Sequence, residues 1–198
     1  PLNWSGPLIG LVPGTNVIRA RAWDASHNPA TEVARQFFVA VSSPLRVLVR
    51  GQGTLSPPGT NRWLTLCTTH SIQARPAWPG YLFSNWVGRL GEDGPVLFVS
   101  GQPQMRFFMV SNLVLEANFV TNPFLGWVGS FNGLFYESTE VSHERSGAFS
   151  LALRTRGTYS ASMRVAGQRF SLTGQFDLDG RATNRLVRRT GADLYVEW

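Results

Sequence analysis

The sequence predicts an all-β protein built from several small β modules in tandem. Short runs in which apolar and polar residues alternate recur along the chain, and the central region nowhere keeps helical spacing for three turns. The 12 prolines and 20 glycines are spread through the 198 residues, as is typical of frequent turns between short strands. Because 43% of the residues are hydrophobic, the chain can form packed cores in one or two domains.

Residues 1–43 predict a β-hairpin. A turn at 13–16 leads into Val17–Trp23, in which apolar residues alternate with arginine, and a turn at 24–29 leads into a second strand, Glu32–Val41. The L-x-P-G-x-N turn and the later A-x-D segment resemble the last strands of bacterial immunoglobulin-like domains, with His27 in place of the usual glycine. The resemblance implies the C-terminal remnant of such a domain. Its strand edges and apolar face are then expected to need a partner.

Residues 44–123 predict a second β unit. Ser42–Pro44 is expected to be a linker, residues 51–59 a turn and residues 88–95 a loop. The predicted strands are Leu45–Arg50, Trp63–Cys67, Ser71–Ala74, Tyr81–Val87, Val96–Ser100, Met105–Val110 and Leu113–Phe119.

Three motifs of this segment resemble the bacterial repeat of the internalin B-repeat kind: G-x-G-T-L-S-P from Gly51, G-Y-x-F-x-x-W-x-G from Gly80, and F-x-M-x-S-N-x-x-L-x-A-N-F from Phe107. The segments 59–70 and 90–104 depart from the pattern. The resemblance implies a non-catalytic spacer or interaction module of secreted or surface-attached proteins, with Trp86 at the buried tryptophan position of the repeat.

Residues 124–198 predict an antiparallel meander or barrel-like module, with strands at Gly147–Leu153, Gly157–Val165, Arg169–Phe176 and Leu194–Trp198. The strings G-x-F-N-G-L-F-Y, H-E-x-S-G-x-F-S-L and F-S-L-T-G-Q-F-D-L-D-G are similar to an uncharacterised β module of environmental bacteria. That resemblance implies a module that runs on past Trp198.

The charge pattern favours a solvated surface over a polyanion-binding stripe. The net charge is +6 and all 18 basic residues are arginines, but they are dispersed. The densest group is Arg181, Arg185, Arg188 and Arg189. We therefore expect no nucleic-acid partner. No apolar run approaches the roughly 18 residues of a membrane span. Cys67, the single cysteine, is expected to be an inert buried thiol.

No catalytic, metal or cofactor-binding constellation is predicted. The three histidines, His27, His70 and His143, are expected in exposed turns of different segments, and none has a nucleophile or metal-ligand spacing beside it. The string Asp177-x-Asp179-Gly180 begins like a calcium loop but lacks the later ligands, so an Asp-Gly hairpin turn is the preferred interpretation.

Aromatic side chains supply the candidate binding residues. Trp78 lies in a proline-rich turn, and Tyr136 lies beside Glu137, so both are candidates for stacking on sugar rings. Arg89, in the predicted loop with Glu92 and Asp93, is the third candidate. The competing interpretation for the aromatic pair is core packing or a turn-capping contact. Trp127, like Trp86, is expected in a core.

These observations favour a non-catalytic structural or adhesive segment of a secreted or cell-surface bacterial protein. Its partners would be other modules of the same parent chain, and a polysaccharide or another cell-surface ligand. The alternative is a carbohydrate-binding accessory module of a larger extracellular enzyme. A third possibility, an enzyme in its own right, is disfavoured by the missing catalytic residues.

Overall fold

The chain is all-β, as predicted, and its strands form several separate small sheets. The structure, a computed structural model, describes residues 6–137, 141–187 and 193–198. Sixteen strands and one turn of 3-10 helix, Leu125–Trp127, are assigned in these residues.

The first two strands form the predicted N-terminal hairpin. Strand β1 (Gly14–Ala20) pairs antiparallel with β2 (Val33–Val39), from Gly14 opposite Val39 to Ala20 opposite Val33. The strand expected to reach Trp23 ends at Ala20, because Trp23 instead makes an isolated bridge to Pro29 that closes the connecting loop. Apolar side chains of the hairpin are well exposed, among them Val17 at 52% and Val33 at 52%.

The next eight strands form two sheets. The strands are β3 (Ser42–Arg50), β4 (Gly53–Ser56), β5 (Asn61–Thr65), β6 (Thr69–Pro76), β7 (Tyr81–Leu90), β8 (Val96–Ser100), β9 (Gln104–Phe108) and β10 (Leu113–Thr121). One sheet has the order β5-β3-β10-β7-β8 and the other the order β4-β6-β9. The pairing of β3 with β10 is parallel, from Arg46 opposite Val114 to Arg50 opposite Asn118.

The linker and the first turn expected in this region were wrong. The predicted linker Ser42–Pro44 belongs to β3, where Pro44 lies opposite Trp63 of β5. Pro44 is tolerated there because β10 pairs with β3 only from Arg46 onward. The missing N–H of Pro44 therefore removes no backbone hydrogen bond to β10. The predicted turn at 51–59 contains the short strand β4.

The sheet of β3, β10 and β7 supplies a core. Leu45, Leu115 and Trp86 are each 0% exposed. The Trp86 indole Nε1 donates to the carbonyl of Pro103 at 3.2 Å, which satisfies its one polar group inside the core. The burial expected for Trp86 is therefore confirmed.

The C-terminal strands form the predicted antiparallel meander. The strands are β11 (Gly129–Phe135), β12 (Gly147–Leu153), β13 (Thr158–Val165), β14 (Gln168–Gln175), β15 (Thr183–Leu186) and β16 (Leu194–Glu197). The first four pair in chain order, and the last two form a separate hairpin. The predicted strand Leu194–Trp198 therefore lies outside the meander, which begins instead with β11, a strand that was not predicted. Leu186 and Leu194 of that hairpin pack against the core of the meander.

Glycines opposite aromatic rings shape the inner face of the meander. Gly133 lies opposite Phe149, and Gly174 lies opposite Tyr159. A Cβ at Gly133 would lie 2.6 Å from the Phe149 ring, and one at Gly174 would lie 2.5 Å from the Tyr159 hydroxyl oxygen. Each large ring thus covers a bare glycine on the neighbouring strand, which allows the sheet to carry bulky aromatics on one face without crowding.

The contacts divide the chain into two compact units. The first, here called the N-terminal unit, comprises Pro1–Arg75 and Asn85–Asn118, and the C-terminal unit comprises Pro76–Ser84 and Phe119–Trp198. The division into modules 1–43, 44–123 and 124–198 stays a prediction.

Candidate binding site

A large hollow lies in the C-terminal unit. Its volume is about 1210 Å³, somewhat above the usual range of small-molecule pockets. Nine of the residues that line it are aromatic: Phe124, Trp127, Phe131, Phe135, Tyr136, Phe149, Phe176, Tyr195 and Trp198. We call this feature the aromatic hollow.

Packed rings and one asparagine hold the floor of the aromatic hollow in place. The Trp198 ring meets Phe149 edge to face, with ring centres 5.3 Å apart. Its indole Nε1 donates to Asn184 Oδ1 at 2.8 Å, and the same oxygen accepts a hydrogen bond from the Tyr159 hydroxyl. The Asn184 amide in turn donates to the carbonyl of Thr173 at 3.4 Å. Since the rings are fixed by packing and hydrogen bonds together, the floor is preorganised.

Exposed aromatic side chains stand at the rim. Trp127, Tyr136 and Tyr195 are 67%, 66% and 76% exposed. The burial expected for Trp127 was wrong. Phe124, three residues earlier, occupies the buried position instead, where its ring packs so closely on Gly157 that a Cβ there would lie 2.5 Å away. The rim therefore offers ring surface to a ligand.

The charged residues of the aromatic hollow are mostly acidic, and two of the carboxylates are paired with arginine. Arg145 donates to Glu137 at 2.6 Å. Arg185 donates from Nε at 2.8 Å and from Nη2 at 2.6 Å to the same oxygen of Asp193. Asp179 also lines the hollow, as does Glu197. Carboxylates held in this way act as fixed hydrogen-bond acceptors.

The Asp177-x-Asp179-Gly180 string forms a turn stabilised by its own side chain. Asp177 Oδ1 accepts from the backbone N–H of Asp179 at 3.0 Å and from that of Arg181 at 2.8 Å. The turn joins β14 to β15, which belong to different sheets, so the expected hairpin is wrong. The local hydrogen bonds account for both the aspartate and the glycine, whose φ is +78°.

Trp78 forms a second aromatic feature in the same unit. The Arg156 guanidinium lies 4.9 Å from the centre of its ring, and the side chain is 43% exposed. Asn122, which is 5% exposed, positions this pair. Its amide donates to the carbonyl of Pro79 at 2.9 Å and to that of Thr155 at 2.9 Å, next to Trp78 and Arg156 respectively. The sequence indicated Asn122 only as a boundary, because an Asn-Pro pair is a generic turn signal.

The three predicted binding residues do not form one site. Tyr136 lines the aromatic hollow, Trp78 is not among the lining residues, and Arg89 belongs to the N-terminal unit. Arg89 lies within β7 rather than in a loop, next to a register shift at Gly88. Glu92, expected beside Arg89, forms an ion pair with Arg46 instead. Their role in binding stays a prediction.

The histidines and the cysteine are placed partly against expectation. His27 and His143 are exposed and lie in turns, as predicted. His70 lies in β6, where its Nε2 is 2.8 Å from Thr68 Oγ1. Cys67 is exposed, contrary to the prediction, because the chain turns there with φ +59° between β5 and β6.

Arg188 and Arg189, half of the predicted basic group, lie outside the described residues. Within 6–137, 141–187 and 193–198, no three side chains of His, Cys, Asp or Glu come together as a metal site. In the same ranges no helix is long and apolar enough to cross a membrane. Comparison with known protein families, curated proteins and solved structures found no match.

Proposed function

We propose that the chain is a non-catalytic, adhesive part of a secreted or cell-surface bacterial protein, in which small β modules present a binding surface. The observation that carries this proposal is the aromatic hollow of the C-terminal unit. Concave surfaces with apolar walls and a few placed polar groups are the usual form of ligand sites. The Arg145–Glu137 and Arg185–Asp193 pairs support a binding role, because they hold carboxylate oxygens in place as hydrogen-bond acceptors.

The second candidate is a carbohydrate-binding accessory role beside a larger extracellular enzyme. The rim supports it specifically, since the exposed rings of Trp127, Tyr136 and Tyr195 accompany carboxylate acceptors. An aromatic ring face packs against the C–H groups of a sugar, while the carboxylates accept its hydroxyl protons. Trp78 would then add a separate platform, because its ring is already held from one side by Arg156.

Retention on surfaces tests both candidates. Beads that carry the chain would be applied to surfaces coated with cellulose, chitin or xylan, and to surfaces coated with gelatin. We expect a Trp127→Ala, Tyr195→Ala double variant to be retained about thirtyfold less, since two ring contacts of about 1 kcal/mol each are removed. Trp78→Ala should weaken retention on polysaccharide only. Trp63→Ala is the matched control, because Trp63 is 74% exposed but belongs to the N-terminal unit.

The outcomes separate the candidates. Loss on polysaccharides in the double variant and in Trp78→Ala supports the carbohydrate-binding role. Loss on gelatin alone supports adhesion to protein. Equal retention of all variants would contradict the proposal, and release of soluble sugar from the coated surfaces by the chain would contradict its non-catalytic part.

A further inference from the structure

Strands β12, β13 and β14 of the meander have one buried face and one open face. Leu151 and Met163 belong to the buried face, which also lines the aromatic hollow. The residues that alternate with the buried ones lie on the other side of the sheet, and all of them are small, polar or basic. They are Ala148, Ser150 and Ala152 of β12, Thr158, Ser160, Ser162 and Arg164 of β13, and Arg169, Ser171, Thr173 and Gln175 of β14. We call this surface the hydroxyl face.

Strand pairing aligns the side-chain hydroxyl groups of this face in rows. Ser150 lies opposite Ser162, and Ser162 lies opposite Ser171 on its other side. In the next row, Ser160 lies opposite Thr173. Each hydroxyl can donate one hydrogen bond and accept two. Because only two alanines represent the apolar residues here, the surface offers hydrogen bonds and little apolar contact.

The charge of the hydroxyl face is positive throughout. Residues 146–176 contain four arginines and no aspartate or glutamate. Arg164 and Arg169 lie directly opposite each other on β13 and β14, an arrangement in which like charges destabilise a sheet. Arg169 Nε donates to Ser162 Oγ at 2.8 Å, which holds this guanidinium beside the row of serines. An anion bound at this point would neutralise the repulsion between the two arginines.

Two further arginines stand at the opposite end of β13. Arg154 and Arg156 are exposed in the turn that precedes Thr158, and the strand from Thr158 to Arg164 spans about 20 Å. The carbonyl of Arg156 accepts a hydrogen bond from Gln175 Nε2 at 3.3 Å, which joins this turn to the hydroxyl face. In the part of the chain that the structure describes, no carboxylate forms an ion pair with any of the four arginines. Arginines that are dispersed in the sequence thus border one surface.

We propose that the hydroxyl face binds an acidic polysaccharide, a polymer of sugars that carry carboxylate groups. The arginines at the two ends of the face donate charge-assisted hydrogen bonds to the carboxylates. The serines and threonines between them exchange hydrogen bonds with the sugar hydroxyls. This site is separate from the aromatic hollow, because it lies on the other side of the sheet and uses none of the rings there.

Other polyanions match the hydroxyl face less well. Single-stranded nucleic acid stacks on aromatic rings, but Tyr159 and Phe170 of β13 and β14 pack in the core. Duplex DNA is read by a helix or a two-stranded ribbon that enters its groove, which a flat sheet face cannot do. Membrane surfaces take up large apolar side chains together with basic ones, and this face has only alanines. Sugars that carry carboxylates fit both the arginines and the hydroxyl rows.

Binding to polygalacturonate and to its methyl ester tests the proposal, because the two polymers share a backbone and differ in carboxylate charge. By isothermal titration calorimetry we expect the full chain to bind the acidic polymer at least about tenfold more tightly than the ester, with an affinity that falls as salt is added. An Arg164→Gln, Arg169→Gln double variant should lose about tenfold or more of this affinity, since two charge-assisted contacts are removed.

The matched control is an Arg35→Gln, Arg106→Gln double variant. Both of these arginines are exposed and belong to the N-terminal unit, so the control removes the same charge at a distance from the hydroxyl face. Its affinity for polygalacturonate should match that of the unmodified chain. Ser160→Glu, which adds a negative charge to the middle of the face, should weaken binding and decides the question if circular dichroism shows that the first variant is unfolded.

Three results would overturn the proposal. Equal binding of polygalacturonate and its methyl ester would show that carboxylate charge is not recognised. An equal loss of affinity in the control variant would assign binding to the overall charge of the chain. Tighter binding of duplex DNA than of polygalacturonate would assign the hydroxyl face to nucleic acid.

Discussion

Gly174 shows how single residues determine the shape of the aromatic sheet. A Cβ at this position would lie 2.5 Å from the hydroxyl oxygen of Tyr159, whose ring is packed 4.9 Å from Phe176 and 6.0 Å from Trp198. The ring has little freedom to move away, because it is also hydrogen-bonded to Asn184. The φ of Gly174 lies outside the left-handed region, so its backbone conformation does not require glycine. The close approach of the Tyr159 side chain on the neighbouring strand does.

We predict that Gly174→Ala lowers the free energy of unfolding by about 1–3 kcal/mol, as is typical of overpacking in a well-filled core. Thermal or urea unfolding followed by circular dichroism would measure it. Gly126→Ala is the control, because nothing lies within 4 Å of its added Cβ. Combining Gly174→Ala with Tyr159→Ala should cost less than the sum of the two single changes, since the ring atoms that the added Cβ would overlap are removed. Strict additivity would contradict the overpacking explanation.

The sequence predicted the burial of some single residues correctly and of others wrongly. Trp86 was correctly predicted to be buried, because it falls in a largely apolar strand. The predictions that Trp127 and Cys67 are buried were wrong. Trp127 is exposed because Phe124 takes the buried position, and Cys67 is exposed because the backbone turns there with a positive φ. Local sequence contains neither kind of information.

At the level of elements, the turn between β1 and β2 depends on one carboxylate. Asp24 accepts hydrogen bonds from the side-chain amide of Asn28 at 3.0 Å and from the backbone N–H groups of Asn28 at 2.8 Å and Ser26 at 2.9 Å. These hydrogen bonds, the Asn28 side-chain bond above all, lower the pKa of Asp24 below its ordinary value. The ionised form is thus the one that the turn stabilises.

We predict a pH-dependent loosening of this turn in the acid range. A lowered pKa in the folded state means that the stabilisation is complete above the ordinary carboxyl pKa and is lost as the pH falls through the lowered value. In an NMR titration, the amide signals of Ser26 and Asn28 should shift with the Asp24 carboxyl, at a pH below that of an unperturbed aspartate. In Asp24→Ala these amide shifts should vanish. An Asp24 titration at or above the ordinary value would contradict the prediction.

Strand pairing was harder to predict than strand position. Alternation located most strands to within a few residues, because it reports which side chains are buried. It did not reveal the parallel pairing of β3 with β10, nor the strands β4, β11 and β15, since those depend on pairing with other segments of the chain. The prediction of a linker at Ser42–Pro44 was wrong for the same reason. Pairing with β5 makes this segment a strand although serine and proline are typical of turns.

For the whole molecule, the two compact units each contain fully buried apolar side chains. Leu115 in the N-terminal unit is 0% exposed, and Leu186 in the C-terminal unit is 2% exposed. Replacing either by alanine is expected to cost about 2–5 kcal/mol, from lost burial and from the cavity left behind. If the two units are independent β modules, the loss of stability should be confined to the unit that carries the substitution.

Hydrogen exchange followed by mass spectrometry would test this confinement. In Leu186→Ala we expect protection to fall in the segments of the C-terminal unit, and in Leu115→Ala in those of the N-terminal unit. Leu134→Ala serves as the control, because Leu134 is 82% exposed and its loss should change little. A uniform loss of protection along the chain in either core variant would indicate a single cooperative unit.

The order of apolar, polar, glycine and proline residues was enough to specify an all-β chain, three of the four strands of the C-terminal meander and a buried Trp86, because each follows from local periodicity and turn chemistry. The aromatic hollow and the Trp78–Arg156 contact made by way of Asn122 were decided by tertiary structure. Each feature arises where segments that are distant in sequence meet. The local pattern of apolar and polar residues does not encode which segments meet or which surfaces stay exposed.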